Sequence, residues 1–313
     1  MAKASAFDFQ PSQHLHFRDK GAMDRVRAIK RKDIEKHPNP DFKIRVVPDC
    51  DIEWIWVSDM FWRIKTAADA DRDVVLILPN PAHTYMHLAR LINKFRVNCR
   101  RLHVFAMDEY ADQDGNTAPE DWPKGFMYSL KKFLYCKIDE NLRPPEKQIR
   151  APQTKIIKDY GKMIADMGGA DACYSGSGWA GHVAFVDPCP EFACSSVAEF
   201  LTMGPRIVTL SPFTIAQNSL HGFFGASGDM GQVPPRAATI GPAEVKGAKY
   251  RMDMNALTTA GTFVSWQRMT ARMVAHGPVS PMMPASILQT MKVDFYMTET
   301  IAADIEPIWD MGY

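Results

Sequence analysis

At 313 residues the chain can bury a substantial core, and 46% hydrophobic against 23% charged residues is the make-up of an ordinary soluble globular protein. A formal net charge of +1 gives no electrostatic case for nucleic acid or an anionic membrane surface, and no apolar run reaches the length of about eighteen residues that suggests a spanning helix. Cysteines 50, 99, 136, 173, 189 and 194 form no CxxC pair and no zinc spacing, and Met1 to Ala28 has no apolar leader core, so the expectation is a cytoplasmic protein with reduced thiols and no bound metal.

Residues 1–41 are polar and basic, with a short charged helix expected from Arg25 to Lys36. They read as an extension outside the core that packs on a neighbouring subunit of a homo-oligomer. Residues 42–313 read as a single α/β domain with a doubly wound, mostly parallel sheet and helices on both faces. Lys43 to Pro48 fits a strand and Asp51 to Ala70 a helix, whose Trp54, Trp56, Phe61 and Trp62 are expected in the core. Asp73 to Leu78 is a continuous apolar run, as in a strand buried on both faces. Pro79 and Pro81 stop it, His83 to Phe95 forms a helix, and Leu102 to Met107 is the next strand, which makes a βαβ unit.

Two places on this frame carry chemistry. The turn Pro79-Asn80-Pro81-Ala82-His83-Thr84 opens a helix, where free N–H groups and the positive dipole end attract an anion; Asn80, His83 and Thr84 are its candidate ligand groups, or Asn80 is a plain helix cap. Asp108-Glu109-Tyr110 follows the third strand directly and sets two carboxyls at its carboxyl end, where open α/β sheets bind ligands. An acidic turn in solvent is the other reading. Residues 111–126, rich in Asp, Gly, Pro and Trp, form a long polar loop beside it.

Further along, Ile156 to Met167 reads as a helix and Asp171 to Tyr174 as a strand feeding Ser175-Gly176-Ser177-Gly178-Trp179-Ala180-Gly181-His182-Val183-Ala184-Phe185-Val186-Asp187-Pro188. Gly176, Gly178 and Gly181 let that backbone close around a small ligand, His182 offers an imidazole for proton transfer, and Asp187 stands where it can orient the ring. This is the composition of a proton-transfer site, or of a glycine turn whose His and Asp cap a buried strand. Arg206 to Leu210 reads as a strand, 222–235 as loop, and 237–241 as strand or turn; 249–254 and 261–264 carry weaker strand signals. Ser265 to Val274 is helical, with Arg268 and Arg272 on one face, either in solvent or offering Arg268 to a substrate anion.

Met107-Asp108-Glu109-Tyr110 and the Gly-x-Gly-x-x-Gly-His-x-Ala-Phe-x-Asp-Pro pattern, about seventy residues apart, together resemble the glucosamine-6-phosphate deaminase (isomerase) family from roughly residue 44 to 300. The resemblance implies that Asp108 moves a proton between C1 and C2 of a sugar, that His182 opens the ring, and that Asp187 holds His182. The chain also departs from the family pattern. Ala180 stands where an orienting aspartate is usual, and Asp187 where a glutamate is usual. In the phosphate clamp, 79–84 lacks the Gly-Gly-Thr-Pro-like loop, Ile215 takes an arginine's place, and a lysine's place falls near Gln267 or Arg268. The expected partner is a small sugar or sugar phosphate, and the implied chemistry needs no cofactor, since backbone N–H groups around Gly176 to Gly181 can stabilise the enediol. The rivals are a sugar-binding or regulatory homologue without turnover and a lactonase on the same fold. The glycine pattern also superficially matches a dinucleotide fingerprint, but it lies late in the chain and runs into an apolar stretch that holds His182.

Overall fold

A computed structural model describes residues 9–80, 83–257 and 262–311. Residues 1–8 of the N-terminal segment, Pro81 and Ala82 of the turn, and Gly261 of the segment 261–264 lie outside them. In chain order the elements are α1 (Lys20–Arg27), β1 (Phe42–Val47), α2 (Ile52–Asp69), β2 (Val74–Leu78), α3 (Tyr85–Lys94), β3 (Leu102–Ala106), β4 (Asp108–Ala111) and α4 (Phe126–Phe133). There follow β5 (Ile149–Arg150), α5 (Ile157–Ala165), β6 (Ala172–Ser175), α6 (Val197–Phe200), β7 (Arg206–Thr209) and α7 (Pro212–Ser219). The chain closes with β8 (Arg236–Thr239), α8 (Pro242–Gly247), β9 (Arg251–Asn255), α9 (Gln267–His276), β10 (Val293–Thr298) and α10 (Glu299–Ala302).

Seven strands form one sheet in the order β1-β10-β9-β6-β2-β3-β5, with every pairing parallel. All of β2 is buried, as its unbroken apolar run requires. Alternate residues face opposite ways: Val74, Leu76 and Leu78 join a core under α2 and α3, while Val75 and Ile77 join a second core with residues of α5 and α9. This is a doubly wound α/β fold with helices on both faces. The chain winds outward from β2 through β3 to β5, then returns to β6 on the other side of β2. The switch point therefore lies between the carboxyl ends of β2 and β6, where ligand crevices form in open sheets.

Several expectations change. The N-terminal helix runs from Lys20 to Arg27 and not from Arg25 to Lys36, because Asp19 accepts a hydrogen bond from Ala22 N at 2.9 Å and caps it, and residues 28–36 are turns and irregular chain. The segment is also not outside the core, since Ala22, Val26 and Ile34 are buried and α1 packs on α9 of its own chain. Trp56 and Phe61 are core residues, but Trp54 and Trp62 are half exposed, because an amphipathic helix turns only part of its surface inward. Arg206–Thr209 and Arg236–Thr239 do not join the parallel sheet; they pair antiparallel with each other and with β4 in a separate sheet ordered β4-β8-β7. β10 was not anticipated, yet it fills the place between β1 and β9. No helix among the described residues is long and apolar enough to cross a membrane.

Candidate active site

Three chain crossings meet at the switch point: Pro79-Asn80 after β2, Met107-Asp108 after β3, and the glycine loop after β6. Asp108 is fixed by backbone on both sides. Met107 N donates to Leu78 O and Ile240 N donates to Met107 O, each at 2.9 Å, so the chain leaves the parallel sheet and enters the small antiparallel one at this residue. In that sheet Asp108 pairs with Thr239, whose hydroxyl accepts from Phe185 N at 3.1 Å. One residue of β8 thus ties the acid on β4 to the loop that carries His182. Tyr110, Phe126 and Phe185 pack together beneath, with ring centroids 4.7 to 5.8 Å apart, and Phe185 meets the His182 ring edge to face at 6.0 Å.

The Asp108 carboxyl is 8% exposed, and among the described residues it makes no hydrogen bond. Burial first, and the neighbouring Glu109 charge second, hold its pKa well above the usual carboxylate range. A carboxylate so raised is a stronger base than aspartate in water.

His182 is oriented by a buried network. Its Nδ1 lies 2.6 Å from Asp187 Oδ1, and Ser211 N donates to Asp187 Oδ2 at 2.9 Å. The Thr214 hydroxyl donates to Asp187 Oδ1 at 2.9 Å and stands 3.0 Å from His182 Nδ1. Burial raises the Asp187 pKa, but the His182 charge and hydrogen bond, the Ser211 N–H and the Thr214 hydroxyl outweigh it and leave the carboxyl below its ordinary value. An ionised Asp187 keeps the proton on Nδ1, so Nε2 is the basic face of the neutral ring. Thr214 supplies a second contact to the pair although Ala180 has no carboxylate.

The glycines have two separate reasons. A Cβ on Gly178 would lie 1.8 Å from His182 Nε2, so only glycine admits the ring. Gly181 has φ +73°, and a Cβ there would meet Met283 Sδ at 1.9 Å. Gly176 lies against Met254 O. The loop is held from outside: Gln217 Oε1 accepts from Trp179 N at 2.6 Å, and Gln267, fully buried, donates to Ser177 O at 2.8 Å while accepting from Leu257 N at 2.7 Å. Asp253 on β9 accepts from the hydroxyls of Ser175 and Ser177 at 2.6 and 3.2 Å, and burial raises its pKa.

Other site candidates separate. Asn80 stands at the end of β2, and among the described residues its two buried amide atoms have no partner, so it caps none of them. Among the described residues no side chain caps α3; Thr84 is buried at its N-cap position and His83 is exposed beside it. Glu109, expected to meet substrate, is instead 1% exposed, and its two oxygens accept from Tyr110 N, Phe126 N and Met127 N at 2.8 to 3.0 Å. Phe126 N and Met127 N are orphan N–H groups at the start of α4, so the carboxylate is a helix cap. Arg268 is turned away to the carbonyls of Asp304, at 2.6 Å, and Ala303, at 3.4 Å. Arg272, far from lying in solvent, is fully buried and donates to the carbonyls of Arg268, Ile301, Ala302 and Ala303. Burial, then the Arg268 charge, lowers its pKa to about 10. Among the described residues no group of His, Cys, Asp and Glu is placed to hold a metal ion.

Sequence reasoning missed Thr214, Gln217, Ser177 with Asp253, and His221. The Ser211-Pro212 pair marks a helix start that would have brought Thr214 into view, since Ser211 accepts from Thr214 N at 3.3 Å. His221 is partly buried, and its pKa is lowered to about 4 by burial and by the His182 charge.

No protein-family model matches the chain. The glucosamine-6-phosphate deaminase of Porphyromonas gingivalis (strain ATCC 33277) is 30% identical over 219 residues, which cover 67% of this chain and 76% of that protein. The glucosamine-6-phosphate deaminase of Aeromonas salmonicida is 32% identical over 197 residues, 58% of this chain and 64% of that protein. The chain thus spans less than two thirds of the latter's length. Among solved structures, a monomeric glucosamine-6-phosphate deaminase superposes with a TM-score of 0.67 at 20% identity, over 83% of this chain and 99% of that one. A 6-phosphogluconolactonase from Leishmania guyanensis superposes with a TM-score of 0.58 at 12% identity, over 85% of this chain and 99% of that one. At these identities the superpositions establish the fold.

Proposed function

This chain belongs to the glucosamine-6-phosphate deaminase family, and on that premise we propose that it converts an amino sugar phosphate to the ketose phosphate with release of ammonia. Asp108 is the proposed base: it takes the proton from C2 of the open-chain sugar and returns it to C1, after which water replaces the amine. His182 is the proposed ring-opening base and acid: its Nε2 accepts the anomeric hydroxyl proton and then delivers that same proton to the ring oxygen as the C1–O bond breaks. Asp187 and Thr214 hold its tautomer. The observation that carries the reading is the pairing of a desolvated, hydrogen-bond-free Asp108 with the buried His182–Asp187 dyad, joined through Thr239.

The phosphate is proposed to sit at the start of α3, on free backbone N–H groups with Asn80 and Thr84 beside it, because Ile215 and the committed Arg268 leave the usual cations out. The setting proposed is the cytoplasm. Self-association is proposed through the exposed Trp54, Trp62 and Phe95 on and beside α2 and α3. A sugar-binding homologue is the second reading, favoured by Ala180 and Ile215.

The two readings part in one assay. Glucosamine 6-phosphate incubated with the protein in heavy water should release ammonia in step with ketose phosphate, with solvent deuterium entering at C1 or C2. Binding without ammonia release or deuterium uptake, across phosphorylated and free amino sugars, would leave the binding homologue standing and remove the enzyme.

A further inference from the structure

Thr214, Gln217, Asn218 and His221 are spaced three, four and seven residues from the first, and so fall on one side of α7 and the turn that ends it. The first two already have tasks, on the His182–Asp187 pair and on Trp179 N. Asn218, 1% exposed, turns its amide to the equally buried Tyr110 hydroxyl. Among the described residues neither ring nitrogen of His221 makes a hydrogen bond, although its backbone is held firmly: its N–H donates to Asn218 O at 2.9 Å, and its carbonyl accepts from Phe224 N and Ala226 N at 3.0 Å. Ile215, in contrast, packs against the apolar core and offers no polar group.

We propose that His221 is a specificity-determining residue of the sugar site, hydrogen-bonding a hydroxyl of the bound sugar beside His182. The proposal rests on the sugar reading given above and narrows it. A neutral imidazole presents one donor and one acceptor, which matches a hydroxyl and does not match a phosphate dianion. Its low pKa keeps the ring neutral through the working range, so it adds no second cation next to His182. The side of the substrate that meets α7 is therefore an uncharged, hydroxyl-bearing part of the sugar, and the phosphate lies elsewhere.

The test compares wild type, His221→Gln and His221→Phe with glucosamine 6-phosphate, by steady-state kinetics, calorimetric binding and thermal unfolding. Loss of one neutral hydrogen bond should raise KM and Kd about ten-fold in His221→Phe, with kcat within about two-fold and the unfolding temperature unchanged. His221→Gln, which keeps a donor and an acceptor, should recover most of the affinity, and the pH profile of kcat above about 5 should not move in either variant, because a group titrating near 4 is already neutral there. Wild-type affinity in His221→Phe would overturn the proposal, as would equal losses in both variants with a lowered unfolding temperature. If wild type turns the sugar over and His221→Phe matches it, only this inference falls; if wild type neither binds nor converts any amino sugar, the functional reading falls with it.

Discussion

A single carboxyl decides most of the proposed chemistry. Asp108 is buried, among the described residues it makes no hydrogen bond, and its folded-state pKa is raised by burial. A carboxyl raised in this way stabilises the fold fully only below its unfolded pKa, and that contribution is lost as pH rises through the folded pKa. Above that folded pKa the ionised group is a cost. Asp108→Asn should therefore cut turnover about a hundredfold or more, as loss of a general base does, and should raise the unfolding temperature at neutral pH. The gain should shrink as pH falls toward and below the raised pKa, where wild type is also uncharged. Turnover assays and thermal scans across pH check both arms, and a folded variant that retains most of its activity would remove Asp108 from the base role. Gly178 is the complementary case, a residue fixed by what must stand next to it: the His182 ring occupies the volume of any side chain there.

At the level of elements, adjacent acids have opposite fates because different structures claim them. Asp108 begins β4 and faces the crevice, while Glu109, one residue on, points to the other side of the strand and caps α4. Both were read as site residues from their position after β3, and the sequence held no sign that α4 starts beside Glu109, seventeen residues later. Glu109→Gln should expose the difference. It replaces an oxygen by an amide that cannot accept, leaving at least one buried N–H unpaired, at about 1–3 kcal/mol of stability. The unfolding temperature should fall while KM of the folded enzyme stays near wild type. A raised KM with unchanged stability would instead make Glu109 a ligand group. Arg268 and Arg272 teach the same lesson in reverse, since their four-residue spacing suited solvent or substrate and the carbonyls around α10 took both.

Across the molecule, the N-terminal segment closes the main core instead of standing apart. His276 at the end of α9 is within 2.9 Å of Ile34 O through Nε2, and burial, outweighing that hydrogen bond, lowers its pKa from 6.5 to about 4. The unfolded chain therefore takes up this proton first as pH falls, so stability is complete above about 6.5 and is lost between there and 4. His221 adds a loss of the same sign. His276→Gln cannot titrate yet can still donate to Ile34 O, so its unfolding temperature should fall less than that of wild type across this window. Parallel acid curves for the two proteins would show that His276 does not couple the segment to pH.

The sequence by itself determined whatever neighbouring residues encode. The unbroken apolar run of β2 has only one comfortable place, inside a sheet covered on both faces, and the loop from Gly176 to Asp187 brings its histidine and carboxylate together within one short turn. Position after β2, β3 and β6 was enough to say where a crevice would open. Tertiary structure alone decided which distant partners complete it. Thr239 links Asp108 to the histidine loop and Thr214 braces Asp187 from another helix, while β10 and the antiparallel sheet of β4, β7 and β8 exist because of pairings across long stretches of chain. Periodicity records which face of an element is buried, but a charged or polar side chain goes to whichever buried backbone groups lack a partner, and those are known only once the elements are packed.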